Sequence, residues 1–371
     1  MSTYIIPIKI GLIIFPILAL LLTFPYMVKQ YHKYGSILFL RTMIVYSFVL
    51  YLLIAWFMVI LPLPRIEDVE KMTGPWAQLI PFQGFIEIFN NTNFNILNFS
   101  SWISFFKNPS VYTVLFNFLL TLPFGVYLRY YFKRKWWEVL TMSFLLSLFF
   151  EVTQLSCLFG IYPRPYRLFD VDDLIVNTTG GLIGYLITPL LSKILPSREI
   201  IDEKSYTKGK NVSRSRTIVA SFIDFIIVCI ITFSGIFKRN YLDLSLLMYI
   251  FLIYNIIFTI IFNGRTIGKI IVGVRLVSED NKRARINQIL IRYIIKYFLM
   301  FEVYYVTFVI YDNAKLGLIG QILLILIYSS LLIIYFRSII CIFSKKKKFI
   351  YESLSRTKHI STIKNKEEKE V

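Results

Sequence analysis

The residues best suited to chemistry are polar side chains set among apolar runs. The clearest stretch reads FEVTQLSCLFGIYPRPYRLFDVDDLIVNTTGGLIG. Glu151 and Gln154 are three residues apart, so they share a helix face. Asp170, Asp173 and Asn177 follow the i, i+3, i+7 spacing, which also places them on one face. Two adjacent antiparallel helices would bring these groups together, so the pattern predicts a polar pocket.

The pocket has two chemical interpretations. A carboxylate as deep as Glu151 is costly in a membrane, and it normally faces a partner or a cavity. Three or four carboxyl oxygens could hold a hard cation such as Ca²⁺ or Mg²⁺. In the structural alternative, Arg167 forms an ion pair with Glu151, and Asp170 or Asp172 caps the helix that follows. We expect a binding or catalytic pocket, because the polar groups outnumber what capping requires.

A second set of charges lies inside the later apolar runs. Asp224 lies about seven residues into its run, roughly 10 Å deep at 1.5 Å per residue. Lys296 lies at a similar depth in a later run, and Arg292 is one turn shallower, so either is expected to pair with Asp224. Arg216, at the start of the helix that carries Asp224, is a third candidate partner, and Glu302 lies deeper. These charges form either a structural lock between helices or a proton or cation path.

The composition identifies the class of protein that contains these residues. The 371-residue chain is 56% hydrophobic and only 17% charged, with a mean hydropathy of +0.63. Soluble domains usually have about 25% charged residues, so a soluble protein is excluded. The net charge of +19 comes from basic residues between apolar runs, which is typical of cytoplasmic membrane loops rather than of nucleic-acid binding.

Cysteine and histidine usage narrows the chemistry further. The three cysteines form no CxxC pair, which argues against a disulfide framework and a cysteine-based zinc site. The two histidines are His32 and His359, so a histidine-dependent catalytic scheme is disfavoured. We expect no cofactor, and a protein that is not an enzyme.

Apolar runs predict an all-α, polytopic membrane bundle of about nine transmembrane helices. A spanning helix needs roughly 20 apolar residues. The predicted spans are 4–28, 37–63, 110–131, 136–158, 173–195, 217–237, 242–262, 289–311 and 317–343. Basic residues fall on alternate loops, so the positive-inside rule places the N-terminus outside and the C-terminus in the cytoplasm.

Changes in composition predict the domain boundaries. The predicted parts are a membrane domain over 1–195, a basic cytoplasmic linker over 196–216, a second membrane domain over 217–360 and a charged tail over 361–371. The loop over 64–109 is the only large external segment and is rich in aromatic residues. It is expected either to lie on the bilayer interface or to form a small folded cap.

The first half resembles the VanZ-like family. The family's spaced polar pattern is matched by Glu151, Gln154, Arg167, Asp170, Asp173, Asn177 and Gly180. The segment FNFLLTLPFGVYLRYYF is similar to the family's third-helix signature, and the Ile80-Pro81-Phe82 segment fits its external loop. Gly180 and Gly184 also predict a small-residue contact between helices. The resemblance covers about 1–195 and implies an integral membrane protein linked to resistance to glycopeptide antibiotics, teicoplanin above all.

The second half resembles the RDD family over about 205–360. The arginine and aspartate of that family would be Arg214 or Arg216 and Asp224, and Arg292 also fits. Its TxGK-containing run is matched by Thr266, Gly268, Lys269, Gly273 and Arg275, and its ending by Thr357. The resemblance implies a family whose functions are mostly unassigned, with cation/proton exchange reported for some members.

Three functions follow, in order of preference. The first is a bacterial cell-membrane protein acting at the outer face of the membrane on cell-wall precursor or a glycopeptide drug. Its polar site is Glu151, Gln154, Arg167, Asp170, Asp173 and Asn177. The second is a cation/proton transporter that uses Asp224, Lys296 and Glu302. A metal-dependent membrane enzyme ranks last, because the predicted outer face carries no histidine. The expected partners are lipid and the envelope ligand, with no nucleic acid.

Overall fold

The structure, a computed structural model, divides the chain into two compact units. It describes residues 2–92, 97–98, 101–102, 105–106, 108–236, 244–297, 329, 336, 340–341 and 348–364. The first unit comprises Met1–Leu22 and Phe39–Ile201, and the second comprises Thr23–Leu38 and Asp202–Val371.

Helices dominate the first part of the chain. They are α1 (Ser2–Tyr34), α2 (Phe39–Ile60), α3 (Ile66–Glu70), α4 (Gln83–Thr92), α5 (Pro109–Tyr130), α6 (Trp136–Leu155), α7 (Cys157–Gly160) and α8 (Val171–Leu191). Two short strands, β1 (Ala77–Gln78) and β2 (Phe169–Asp170), form a parallel pair.

The later part combines helices with a small antiparallel sheet. Its helices are α9 (Arg198–Gly209), α10 (Arg214–Ile231) with a π-helical turn (Thr232–Ile236), α11 (Leu244–Ile261), α12 (Ile267–Ile271), α13 (286–297) and α14 (Ile350–Ser355). Strands β3 (Val274–Ser278) and β4 (Thr357–Ser361) pair with Leu276 opposite His359.

Within the described residues, six helices are long and apolar enough to cross a membrane. They are Ile5–Tyr34, Phe39–Ile60, Pro109–Tyr130, Trp136–Leu155, Val171–Leu191 and Arg214–Ser234, and the apolar helix Leu246–Ile261 is shorter. These confirm the all-α membrane architecture. Most of the predicted spans 289–311 and 317–343 lies outside the described residues, so the number nine and the orientation stay predictions.

Local sequence explains where the helices of the first unit begin. Asn108 caps α5 by accepting the Ser110 N–H at 2.9 Å, and Pro109 occupies the first turn, where its missing N–H costs nothing.

The segment 196–216, predicted as a linker, contains the helix α9.

Helices α5 and α8 are in close contact, and glycine makes the contact possible. A Cβ added at Gly180 or Gly184 would overlap a backbone carbonyl of α5, that of Phe118 or Leu122 respectively. Gly125 on α5 lies equally close to the backbone of α8 at Gly181. Small residues allow the two helices to gain van der Waals contact along their length, which drives helix association in lipid.

The loop over 64–109 contains ordered elements that pack on the membrane helices. Strand β1 pairs with β2 directly before α8, with Ala77 opposite Phe169. Helix α4 buries Ile88. An apolar cavity of about 410 Å³ lies among α4, α5, α8 and aromatic residues that include Phe85 and Phe105. The folded cap is therefore the alternative that the described part of this loop supports.

Residues Thr23–Leu38 belong to the second unit because they hydrogen-bond within it. The Tyr31 hydroxyl lies 2.8 Å from Ser215 Oγ, and Ser36 Oγ donates to the Ser205 carbonyl at 2.7 Å. His32 Nδ1 lies 2.8 Å from the Ile271 carbonyl oxygen. The compact unit thus differs from the predicted first domain, 1–195, at the end of α1.

Gly184→Ala is expected to destabilise the first unit, because its methyl group would meet the Leu122 carbonyl. Overpacking of this kind typically costs about 1–3 kcal/mol. We expect a melting temperature several degrees lower for the detergent-solubilised protein, measured by fluorescence-detected size exclusion after heating. The matched control is Thr179→Ala, on an exposed position of the same helix. Equal melting of the two variants would contradict the close contact.

Candidate functional site

A cavity of about 350 Å³ lies within the first unit, among α1, α2, α5, α6 and α8. Five of the six residues predicted for the outer polar site lie on its wall: Glu151, Gln154, Arg167, Asp173 and Asn177. Helix α6 supplies the first two, the loop before β2 supplies the arginine, and α8 supplies the last two.

Glu151 is the most deeply buried acid of this wall, with 2% of its surface exposed. Its Oε2 accepts the Asp170 N–H at 2.9 Å. Asp173 is half-buried on the facing helix, and the Asn117 amide lies within hydrogen-bonding reach of its carboxylate. The cavity therefore presents two carboxylates to any group that enters it.

Asn177 has a buried acceptor that the described residues leave unused. The side chain is 3% exposed, and its Nδ2 donates to Ser147 Oγ at 3.0 Å. Its Oδ1 has no hydrogen-bond partner among the described residues. A buried unpaired amide oxygen costs roughly 1–3 kcal/mol, so a ligand that donates a hydrogen bond there would recover that energy.

Asp170 lies outside the cavity wall and caps α8. Its Oδ1 accepts the Asp172 N–H at 2.8 Å. Burial raises the pKa of Asp170, and the nearby Asp172 and Glu87 carboxylates act in the same direction. For this residue the structure supports the capping alternative.

The loop arginines bind backbone carbonyls. Arg167 donates to the Leu61 carbonyl at 3.1 Å, and Arg164 donates to the carbonyls of Gly74, at 2.8 Å, and of Met72. Because Arg167 also lies on the cavity wall, it adds a positive charge there while it holds the loop to the end of α2.

In the second unit, Asp224 has a complete set of neutral donors. The residue is 1% exposed. It accepts hydrogen bonds from the Tyr254 hydroxyl at 2.9 Å, the Thr266 hydroxyl at 2.6 Å and the Gly268 N–H at 2.7 Å. These bonds join α10 to α11 and to the start of α12, so Asp224 acts as a structural lock.

The other charges of the predicted network have separate partners. Arg292 forms an ion pair with Glu352 at 3.3 Å and donates to Thr357 Oγ1 at 2.8 Å. Lys296 Nζ lies 3.5 Å from Ser221 Oγ. The expected pairing of either residue with Asp224 is replaced by these contacts, and Glu302 lies outside the described residues.

Arg216 is fully buried and holds distant parts of the second unit together. Its guanidinium donates to the carbonyls of Val272 at 2.7 Å, Gly35 at 3.0 Å, Gly209 at 2.9 Å and Gly273 at 2.6 Å, and also to Ser361 Oγ. The planar fork of arginine suits several acceptors at once. Of the two candidate arginines at the start of α10, Arg216 therefore has the structural role.

Comparison with known protein families gives one match in each half of the chain. The family model described as VanZ/LLP1 matches residues 48–192, and the model of the RDD family matches residues 212–351. The chain carries a VanZ-like domain followed by an RDD domain. Neither a curated protein nor a solved structure matches it. It is a multi-pass protein of the cell membrane.

One residue that organises the VanZ-like domain was left out of the predicted site. Asp172, considered above only as a cap, accepts the N–H groups of Phe82 at 2.5 Å and Gly84 at 2.8 Å. Its carboxylate thus fixes the start of α4 against α8. The only signal in the sequence was the resemblance of Ile80-Pro81-Phe82 to the external loop of the family.

The predicted hard-cation site is not supported by the described part of the chain. No group of three or more His, Cys, Asp and Glu side chains there is arranged to hold a metal ion. Asp170 and Asp172 are turned to backbone N–H groups, which leaves Glu151 and Asp173 as the acids of the cavity.

Arg216→Lys is expected to destabilise the RDD domain although it keeps the charge. An ammonium has three donors and cannot reach every carbonyl that the guanidinium binds, and each charged hydrogen bond lost costs about 1.5–3 kcal/mol. We expect a lower melting temperature and less protein in the membrane fraction. Arg285→Lys, on an exposed position of the same domain, is the matched control. A wild-type melting temperature for Arg216→Lys would refute this role.

Proposed function

We propose that the VanZ-like domain binds a polar group of a cell-envelope component or of a glycopeptide drug at the outer face of the bacterial membrane. Binding there would contribute to tolerance of teicoplanin-type glycopeptides. The observation that supports this most strongly is the buried Glu151, which lies on the wall of a cavity of about 350 Å³ with one visible hydrogen bond to its carboxylate.

The chemistry of the wall defines the kind of group that fits. Glu151, Asp173 and the Asn177 amide oxygen are acceptors, and Gln154 and Arg167 contribute donors. Such a wall favours a ligand with several hydroxyl or amine groups, as on a sugar or a peptide. The volume lies within the ~300–1,000 Å³ range of small-molecule pockets.

The predicted orientation supports action at the outer face. Basic residues follow α1, lie between α5 and α6 and follow α8, so the positive-inside rule assigns these ends to the cytoplasm. Glu151 lies at the opposite end of α6, and Asp173 lies at the opposite end of α8. This end also carries the cap formed by α3, α4 and β1.

The alternative, a cation/proton transporter built on the RDD domain, has weaker support. A transport carboxylate must exchange its proton or ion during each cycle. The three hydrogen bonds that Asp224 accepts would have to be broken each time. A substitution of Asp224 therefore tests the transporter alternative beside the substitutions in the cavity of the VanZ-like domain.

Glu151→Gln and Asp173→Asn are expected to abolish most of the protection that the chain gives against a teicoplanin-type glycopeptide. Each change removes one negative acceptor from the cavity while it keeps the side-chain shape. The measurement is the minimal inhibitory concentration in a host that lacks the chain and carries each variant, with membrane levels matched by immunoblot. We expect both values to fall at least fourfold toward that of the empty host.

Two controls make this result specific. Glu70→Gln removes a carboxylate from an exposed position of the external loop and is expected to protect like the wild type. Asp224→Asn tests the RDD domain: if it alone loses function, with a growth defect that depends on salt or pH, the transporter alternative replaces the envelope proposal. Full protection by both cavity variants would show that this cavity is not the working site.

A further inference from the structure

A second cavity, of about 550 Å³, lies within the second unit. Its wall combines the first turns of α10, residues of α11 and α12, the helices α13 and α14, and the strand β4. Aromatic residues, among them Phe251, Tyr293 and Tyr351, line it together with charged groups. The proposed envelope function does not use this cavity.

The charge on the wall is strongly unbalanced. Six basic side chains face one carboxylate, that of Glu352. The basic residues are Arg214, Lys269, Arg292, Lys296, Lys348 and Lys358. Such an excess of like charge in a sheltered space raises the local potential and attracts anions.

Only part of this charge is neutralised by ion pairs. Arg292 pairs with Glu352 at 3.3 Å, and Lys348 pairs with Glu279 at 2.5 Å. Two of the lysines contact neutral oxygens instead: Lys269 Nζ donates to the Tyr293 hydroxyl, and Lys296 Nζ lies 3.5 Å from Ser221 Oγ. Charges removed from water are costly without a counter-charge, so these two ammonium groups favour a bound anion.

Two further polar groups on this wall are buried without partners. Tyr297 is 1% exposed, and its hydroxyl has no hydrogen-bond partner among the described residues. The same is true of the buried Nε2 of His359, on β4. Burial lowers the pKa of His359, and the positive charges of Arg292, Lys269 and Lys296 lower it further. A neutral imidazole and a phenol can each donate one hydrogen bond.

We propose that this cavity binds a phosphate-bearing anion, with Lys269, Lys296, Arg292 and the Tyr297 hydroxyl as its ligands. Phosphate oxygens accept charge-assisted hydrogen bonds from ammonium and guanidinium groups, which are among the strongest in proteins. The volume exceeds the needs of a bare phosphate, so the aromatic wall has room for the group that the phosphate carries.

Two sources supply this chemistry at the predicted cytoplasmic side of the membrane. One is the headgroup of an anionic phospholipid of the inner leaflet, and the other is a free phosphate compound of the cytosol. The cavity includes the beginning of α10, where the chain enters the membrane. A headgroup and a dissolved phosphate can both reach that depth.

The test uses the full-length purified chain in a neutral maltoside detergent, with thermal unfolding as the readout. The probes are dioctanoyl phosphatidylglycerol, sodium pyrophosphate and dioctanoylglycerol, which carries the same acyl chains without phosphate. Sodium chloride at equal ionic strength controls for screening. We expect a saturable rise in melting temperature with at least one phosphate probe and none with dioctanoylglycerol.

Three variants test whether the rise in melting temperature comes from binding in this cavity. Lys296→Gln is expected to raise the half-saturating concentration at least tenfold. Tyr297→Phe removes only a hydroxyl that has no partner in the described structure, so it should fold normally and bind about three- to tenfold more weakly. Lys282→Gln removes the same charge from an exposed position outside the cavity and should bind like the wild type.

Each outcome decides the proposal. A response to phosphatidylglycerol alone assigns the site to a lipid headgroup, and a response to pyrophosphate alone assigns it to a free phosphate compound. A response to both supports the shared chemistry. The proposal falls if neither probe gives a saturable shift, or if Tyr297→Phe and Lys296→Gln respond like the wild type. If Lys296→Gln does not fold, Tyr297→Phe decides alone.

Discussion

The constraint on which the rest of this structure depends is the cost of a buried charge where no water can solvate it. A charged side chain in an apolar bundle must find its partners within the protein. Arg216 meets this requirement completely, because four backbone carbonyls and a serine hydroxyl surround its guanidinium. Asp224 meets it with two hydroxyl groups and one backbone N–H. Their partners come from segments far apart in the sequence, so satisfying the two charges also fixes the fold of the RDD domain.

The same constraint separates structural charges from candidate ligand-binding ones. Glu151 is buried and Lys296 is half-buried, yet each makes few hydrogen bonds and each lines a cavity. Beside each lies a buried polar atom without a partner among the described residues, Asn177 Oδ1 in one case and the Tyr297 hydroxyl in the other. The two walls differ in sign. Acceptors dominate on the wall in the VanZ-like domain, and cationic donors dominate on the wall in the RDD domain.

Much of this organisation was predictable from the sequence. Helical spacing placed Glu151, Gln154, Asp173 and Asn177 on facing helices, and these four residues do line one cavity. Spacing could not predict which oxygen each donor would bind. The structural alternative paired Arg167 with Glu151, whereas in the structure its guanidinium donates to the Leu61 carbonyl. The contact of Asp172 with α4 could not be predicted, because its partners, Phe82 and Gly84, are about 90 residues away along the chain. Long-range pairing of this kind has no local periodic signal.

The basic cavity was missed for a related reason. Its residues come from five helices and one strand, and β4 reaches it only because this strand pairs with β3 in the observed register. The electrostatics of this cavity also bear on the transport alternative. The described wall of this cavity carries Lys269, Lys296 and Arg292, and its one carboxylate, that of Glu352, is already paired with Arg292. The described residues of the RDD domain therefore favour an anion at this cavity over the passage of a cation through it.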